Sequence, residues 1–488
     1  MKDLELTPYA PNLVESTRSI GYSFHTALAD IIDNSVSNAA KRVDVRFNNG
    51  VKPYVAIIDD GNGMSTSTLE KAMRYGSSSS LEERNENDLG RFGLGLKMAS
   101  LSQCRRLTVI SKQFQDLSAS SWDLDYIYKT EKWTLIRHSE SQIKELPFAD
   151  ELLLRNTGTI VLWENLDRIS ETPSDFDKEF NEKLDFADKH MSLVFHRFLE
   201  NERSKDYFEL YFNNRKVEPI DPYFSSNPSS QQLETETLFI EKKIIKVTPF
   251  ITPFASKLNQ IEKRLIQEYK DLELKQGLYI YRNKRLIVWG KWFRISSDNE
   301  LKRLAKIRID LPNNIDEHWT IDVKKSSAQI PSMIKEQLKV IAERAAGKSE
   351  RVYKYRGRRH TSDSYEHVWN KVINREKIQY LINKDLPTFK LLEKTLNDDQ
   401  YKLLNSFIRT IEDAFPYASV YYDLAKEEKY EENTLEEEEI YYIVKSAIDS
   451  DNVNRNDIPA LLKTYRDIDV FSKYPQVLDK IEEELLYD

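Results

Sequence analysis

The chain has 488 residues, 40% of them hydrophobic and 31% charged, with 26 Tyr and 21 Phe. That is too long for one compact core, and the composition supplies apolar and aromatic material for about three packed domains. A formal net charge of −8 excludes a uniformly basic polyanion binder, so any nucleic-acid contact needs a local basic patch or an inner channel, and the single Cys104 excludes a disulfide framework or a multi-cysteine metal centre. Asp3 and Glu5 stand where a secretory signal needs an apolar run, and no stretch of 18 apolar residues occurs. The sequence reads as a soluble, cytoplasmic protein with no membrane partner.

In chain order, residues 1–24, with Pro8, Pro11 and Leu13-Val14-Glu15-Ser16-Thr17-Arg18, read as an extended, strap-like lead-in. Residues 25–40 read as a helix, because Leu28, Ile31, Ile32 and Ser35 follow helical spacing. Asp30 and Asn34 then share one face, one turn apart. A carboxylate beside an amide suits a site where the Asn oxygen meets a hard cation such as Mg²⁺ and the acid polarises a water. A polar helix face in water is the plain alternative. Residues 43–47 alternate as a strand before the Asn48-Asn49-Gly50 turn.

Residues 54–58 form a short apolar run, read as a buried strand, that ends in Asp59-Asp60-Gly61-Asn62-Gly63-Met64. An Asp at such a strand end can accept from an exocyclic amine, and Gly61 and Gly63 let a flat base approach the backbone. An ordinary tight turn is the alternative. Ser65 caps an expected helix over residues 66–75, and the polar residues 76–88 read as a mobile lid or a passive surface loop. The next segment, Gly90-Arg91-Phe92-Gly93-Leu94-Gly95-Leu96-Lys97, places three glycines at the start of an apolar helix. Backbone amides there can cradle phosphates, with Lys97 adding charge. No G-x-x-x-x-G-K-[ST] segment occurs.

These three islands, in this order, resemble the GHKL ATPase superfamily of gyrase B subunits, ninety-kilodalton heat-shock chaperones, MutL and MORC proteins. The resemblance implies an α+β chain that opens with a Bergerat-type α/β sandwich ATPase domain. It implies ATP and Mg²⁺ as ligands, with Asn34 coordinating the metal and Asp59 reading the adenine amino group. Gly61, Gly63 and Met64 match the turn of that motif. Gly90, Arg91, Phe92, Gly93, Leu94, Gly95 and Lys97 match the phosphate end of the ATP lid. Thr159, in Thr157-Gly158-Thr159-Ile160-Val161-Leu162-Trp163, matches a Thr near the adenine. The family's general base is a Glu four residues before the Asn, and here that position is Asp30, one methylene shorter. Slow hydrolysis follows, with Asp33 as an alternative acid. Strands over residues 107–110, 120–124, 133–137 and 159–163 complete one sheet, with helices on its other face.

A helix near residues 183–199 precedes a hairpin over 208–220 that turns at Asn213-Asn214-Arg215, and a second strand-turn-strand covers residues 276–287. Ile280-Tyr281-Arg282-Asn283-Lys284-Arg285-Leu286-Ile287 resembles the transducer domain of MORC and MutL proteins. By that resemblance Lys325, or Lys324 as second choice, reaches the γ-phosphate. The expected domains are 1–172 for ATP binding, 173–332 as an α/β transducer, and 333–488 as a mainly helical region of open role. Within the last, Lys348, Arg351, Lys354, Arg356, Arg358 and Arg359 are interleaved with Tyr353 and Tyr355, a pattern fit for nucleic-acid phosphates or for a solvated linker. The acidic run over residues 427–439 reads as a solvated face.

Two functions remain open. One, implied by the resemblance to bacterial MORC-like and MutL-like proteins, is an ATP-driven switch or dimerising clamp, a homodimer on ATP binding, acting on double-stranded DNA or with partner proteins of a phage-defence system. The other is an ATP-binding scaffold with little or no hydrolysis that recruits protein partners.

Overall fold

The computed structural model describes residues 8–19, 21–75, 95–170, 172–240, 243–296, 302–312, 319, 330–356, 366–374, 377–417, 419–420, 435–450 and 455–487. By contacts the chain divides into two compact units, Met1–Glu350 and Arg351–Asp488.

The first unit begins with α1 (Ala10–Arg18) and α2 (Phe24–Ser37), then β1 (Arg42–Asn48), β2 (Tyr54–Asp59), α3 (Thr66–Met73), α4 (Gly95–Leu101), β3 (Arg106–Gln113) and β4 (Asp116–Asp123). It continues through α5 (Leu124–Thr130), β5 (Ile136–Arg137), α6 (Glu140–Ile143), α7 (Ala149–Leu153) and β6 (Thr157–Glu164) to α8 (Phe176–Val194) and α9 (His196–Leu199). The strap-like reading of residues 10–18 is corrected: they are a helix. Pro11 sits in its first turn, where a missing N–H costs nothing, and Ala10, Val14 and Arg18 bury one face. The Ser65 cap read from sequence is present, and the structure adds a second at Ser23. The Ser23 hydroxyl accepts from the Thr26 amide to start α2, and the Ser65 hydroxyl accepts from Thr68 to start α3.

The first sheet runs β5-β4-β3-β6-β2-β1-β7-β8, with β7 (Glu209–Phe212) parallel to β1 and every other neighbour antiparallel. The β7–β8 hairpin, closed by β8 (Arg215–Lys216), turns through Asn213 and Asn214, both at positive φ (42° and 69°). The centre of this sheet is buried on both faces. Val55, Ile57, Val161 and Trp163 face a core shared with α1, α2, α4 and α8, while Ala56, Ile58, Ile160 and Leu162 face a smaller core under α6 and α7. Alternation along each strand therefore sends apolar residues both ways, which is why β2 reads as a continuous apolar run.

The second sheet runs β10-β11-β14-β12-β13, with β9 (Gln231–Gln232) also on β11. Its strands are β10 (Glu236–Ile240), β11 (Lys243–Ile251), β12 (Gly277–Arg282), β13 (Arg285–Lys291) and β14 (Ala305–Leu311), with α10 (Gln260–Glu268) between β11 and β12. The β12–β13 turn uses Asn283 and Lys284 at φ 47° and 70°. Tyr279, Tyr281 and Leu286 of this hairpin join the core that also holds α2 and α8, so the two sheets share one apolar interior. The division at Glu350 falls within helix α11 (Ser332–Arg356).

The second unit is mainly helical, with α12 (Pro387–Thr395), α13 (Asp398–Asp413), α14 (Glu437–Ser450), α15 (Ile458–Arg466) and α16 (Pro475–Tyr487). It also contains an antiparallel hairpin absent from the sequence reading, β15 (Trp369–Asn374) and β16 (Lys377–Ile382). Its own core includes Ile440, Val444, Leu462, Tyr465 and Leu478. The α+β architecture expected from the sequence is present, and no described helix is long and apolar enough to cross a membrane.

Candidate functional site

Four neighbouring elements build the site. Helix α2 carries Asp30, Asn34 and Ser35, β2 ends at Asp59, β6 places Thr159 opposite Asp59 in antiparallel register, and α4 starts at Gly95. The Asp59 carboxylate is buried and accepts three hydrogen bonds. The Ser35 hydroxyl donates to Oδ2 at 2.8 Å, and the backbone amides of Gly61 and Thr159 donate to Oδ1 at 3.0 and 3.2 Å. Burial pushes its pKa up to about 6, against the lowering effect of Ser35 and those amides. The neighbouring Asp60 does different work, accepting from the Lys41 and Arg42 amides at 2.7 and 2.9 Å and tying the turn to β1.

The turn glycines are required by space. Gly63 has φ +65°, and a Cβ there would lie 1.9 Å from the Lys112 carbonyl oxygen. A Cβ on Gly61 would lie 2.8 Å from the Asn38 carbonyl oxygen. The Met64 amide donates to the Ser111 hydroxyl at 2.8 Å, and the Ser111 and Thr159 hydroxyls meet at 2.9 Å, so β3 and β6 fix this turn together.

Asp30 is buried, and its Oδ2 accepts from the Tyr22 hydroxyl at 3.0 Å. The Cβ position of Gly95 lies 3.8 Å from the same oxygen, so the start of α4 is beside this acid. Asn34 is half-buried, and its side-chain amide makes no hydrogen bond to another described residue. Lys97 is buried and donates to the carbonyls of Ala72 and Arg74 at 2.7 and 3.0 Å, where α3 ends. Its charge here serves that helix end, and burial pulls its pKa down to about 8. Gly90, Arg91, Phe92, Gly93, Leu94, Lys324 and Lys325 lie outside the described residues, as do the side chains of the basic run from Arg351 onward.

Asp33, weighed above as an alternative acid, is fully buried and accepts from Arg285 Nε of β13 at 3.1 Å. A carboxylate held that way is not available as a base for a pocket water. The site also depends on residues that carry no motif: Tyr22, Ser35, Ser111 and Gln103, whose amide donates to the Tyr22 carbonyl at 3.2 Å. Only Ser35 had a local signal, by its place next to Asn34.

Away from this pocket, His196, Glu200 and Asp221 bring possible metal-ligand atoms within 4.8 Å of one another. Their partners are already in place. His196 meets Glu200 at 2.8 Å and the Tyr281 hydroxyl at 2.9 Å, and Asp221 accepts from the amides of Tyr223 and Ser225. We read this group as a hydrogen-bonded support of the second sheet.

Residues 22–159 match the family model described as histidine kinase-, DNA gyrase B-, and HSP90-like ATPase. The DNA mismatch repair protein MutL of Pseudomonas fluorescens (strain SBW25) is 32% identical over 91 residues, 18% of this chain. The match spans only 14% of that MutL protein's length.

Proposed function

With residues 22–159 forming a GHKL-type ATPase domain, we propose that the protein binds ATP with Mg²⁺ among α2, the turn after β2, β6 and α4, and hydrolyses it slowly as a conformational switch. The observation that carries this reading is the Asp59 cluster. A buried carboxylate held by Ser35 and two amides stands at a strand end, fixed in place by a turn whose glycines pack against the Asn38 and Lys112 carbonyls, and an exocyclic amine of a base can donate to it. Asn34, with its amide unclaimed by the described residues, offers the oxygen for Mg²⁺. When bound, Mg²⁺ supplies neutralisation of phosphate charge.

Asp30 holds and polarises the attacking water in this scheme, and the Tyr22 hydroxyl orients its carboxylate. Lys325, or Lys324 as second choice, supplies the contact to the terminal phosphate. Glycines 90, 93 and 95 supply backbone amides to the phosphates in this scheme, and Lys97, engaged at the end of α3, anchors the start of α4.

A second reading, an ATP-dependent scaffold that recruits partner proteins, draws on one specific observation. Asp30 is short, and one of its oxygens is engaged by Tyr22. The name of the MutL relative, a DNA mismatch repair protein, favours DNA as the polymer on which the switch works, and dimerisation on ATP binding is the motion this reading gives it. The test is phosphate release by the purified chain with and without double-stranded DNA, with mass measured in solution in a non-hydrolysable ATP analogue. DNA-stimulated turnover and analogue-driven dimers support the switch. ATP binding without turnover gives the scaffold instead, and absence of ATP binding removes both.

A further inference from the structure

Arg285 follows the Asn283-Lys284 turn and reaches back from β13 to α2. Its Nε donates to Asp33 Oδ1 at 3.1 Å, its guanidinium lies over the Phe195 ring at 4.7 Å, and it donates to the Leu286 carbonyl. The two side chains are 5% and 0% exposed, so the pair is shielded from solvent. Two desolvated charges hold elements together no better than apolar side chains of the same size, and the best-attested use of such a pair is to fix one geometry.

The geometry fixed here is the rotation of α2. Asp33 precedes Asn34 in the chain and lies three residues after Asp30. A rotation of α2 by about 10° would move both pocket side chains by roughly 1 Å, enough to cost on the order of a hundredfold in a positioned reaction. The other end of the link is equally placed. Arg285 pairs with Arg282 across the β12–β13 hairpin, and Arg282 pairs with Leu311 at the end of β14. One row across three strands thus connects α2 to Leu311 at the end of β14.

We propose that Asp33 and Arg285 are a positioning pair that sets the direction of Asp30 and Asn34 and passes the nucleotide state of α2 to the β12–β13 hairpin. The inference rests on the ATPase reading above and adds to it a route between pocket and second sheet. Neither residue touches the nucleotide in this scheme; each acts through α2.

The test uses the full chain with the double substitution Asp33→Leu/Arg285→Met, which replaces the ion pair by apolar side chains of similar volume. Its thermal midpoint should stay within about 5 °C of wild type and its ATP affinity within about threefold, while kcat falls at least tenfold. In parallel, hydrogen exchange is followed over residues 277–291. ATP should slow exchange there in wild type and leave it unchanged in the double variant. Wild-type kcat together with the same ATP-dependent protection in the double variant would overturn the proposal. Should the double variant not fold, Arg285→Lys keeps the charge without the planar guanidinium; the same two readouts then apply, and an unaltered kcat and protection in that variant overturns it. Failure of the underlying reading looks different, because wild type itself then binds no ATP. Wild type that binds ATP without turnover leaves the exchange readout to decide.

Discussion

In the proposed ATPase scheme Asp30 sets the rate. Its carboxylate stops one methylene, about 1.5 Å, short of a glutamate's reach, and Tyr22 holds one oxygen at 3.0 Å. Asp30→Glu should therefore raise ATP turnover about tenfold or more, and Asp30→Asn should abolish it, both read as phosphate release at saturating ATP. Asp59 makes a different statement, through pH. Burial raises its pKa from 3.8 to about 6 in the folded chain. Between those values the folded chain holds a proton that the unfolded chain has lost, so this group's contribution to the stability of nucleotide-free protein falls as pH rises from about 4 to 6. In the proposed ATP site, affinity runs the other way, since an adenine amino group there would donate to the ionised carboxylate. Titration calorimetry should show ATP binding weaken as pH drops below about 6, by up to about tenfold per pH unit, and Asp59→Asn should remove that dependence.

Among the elements, α1 was read from sequence as extended, and the strand expected over 133–137 is formed only at Ile136–Arg137. Pro11 and Pro8 suggested an extended segment, but a proline in the first turn starts a helix as readily as it breaks one. What secures α1 is Arg18, buried, donating to the Leu101 carbonyl at the end of α4 at 2.6 Å and to Asp167 at 2.5 Å. Arg18→Met leaves that carbonyl without its donor and should lower stability by about 3 kcal/mol, measured by urea unfolding. An unchanged midpoint would mean α1 is held by Ala10 and Val14 alone. The motif-bearing elements were legible for a physical reason. The β2 run reads as buried because both faces are packed, and the two Asn-containing turns take a positive φ that Asn tolerates. Contacts distant in sequence were not legible. Ser111 reaches Thr159 across 48 residues and Arg285 reaches Asp33 across 252, and neither has a local pattern. The β15–β16 hairpin was missed because Asn374-Arg375-Glu376-Lys377 carries no glycine or proline to mark a turn.

At the scale of the whole molecule, two buried lysines shape the stability profile. Desolvation lowers Lys306 to about 7, partly offset by Asp221, and lowers Lys97 to about 8. For each, the unfolded chain keeps a proton that the folded chain loses between those values and 10.5, so their contribution to stability rises as pH climbs through that window. Denaturant unfolding from pH 7 to 9 should show this rise, and Lys306→Met should flatten it; an unchanged slope in that variant would assign the rise to other groups. The shared core of the two sheets gives a change in the pocket a packed path to the β12–β13 hairpin, whereas the unit Arg351–Asp488 has its own core. Steady-state phosphate release from ATP and Mg²⁺ by the full chain, beside an Asn34→Ala variant, tests the ATPase reading most directly. Saturable turnover in wild type that drops to background in Asn34→Ala is the expected result. An equal rate in both proteins, or none in wild type, would contradict it.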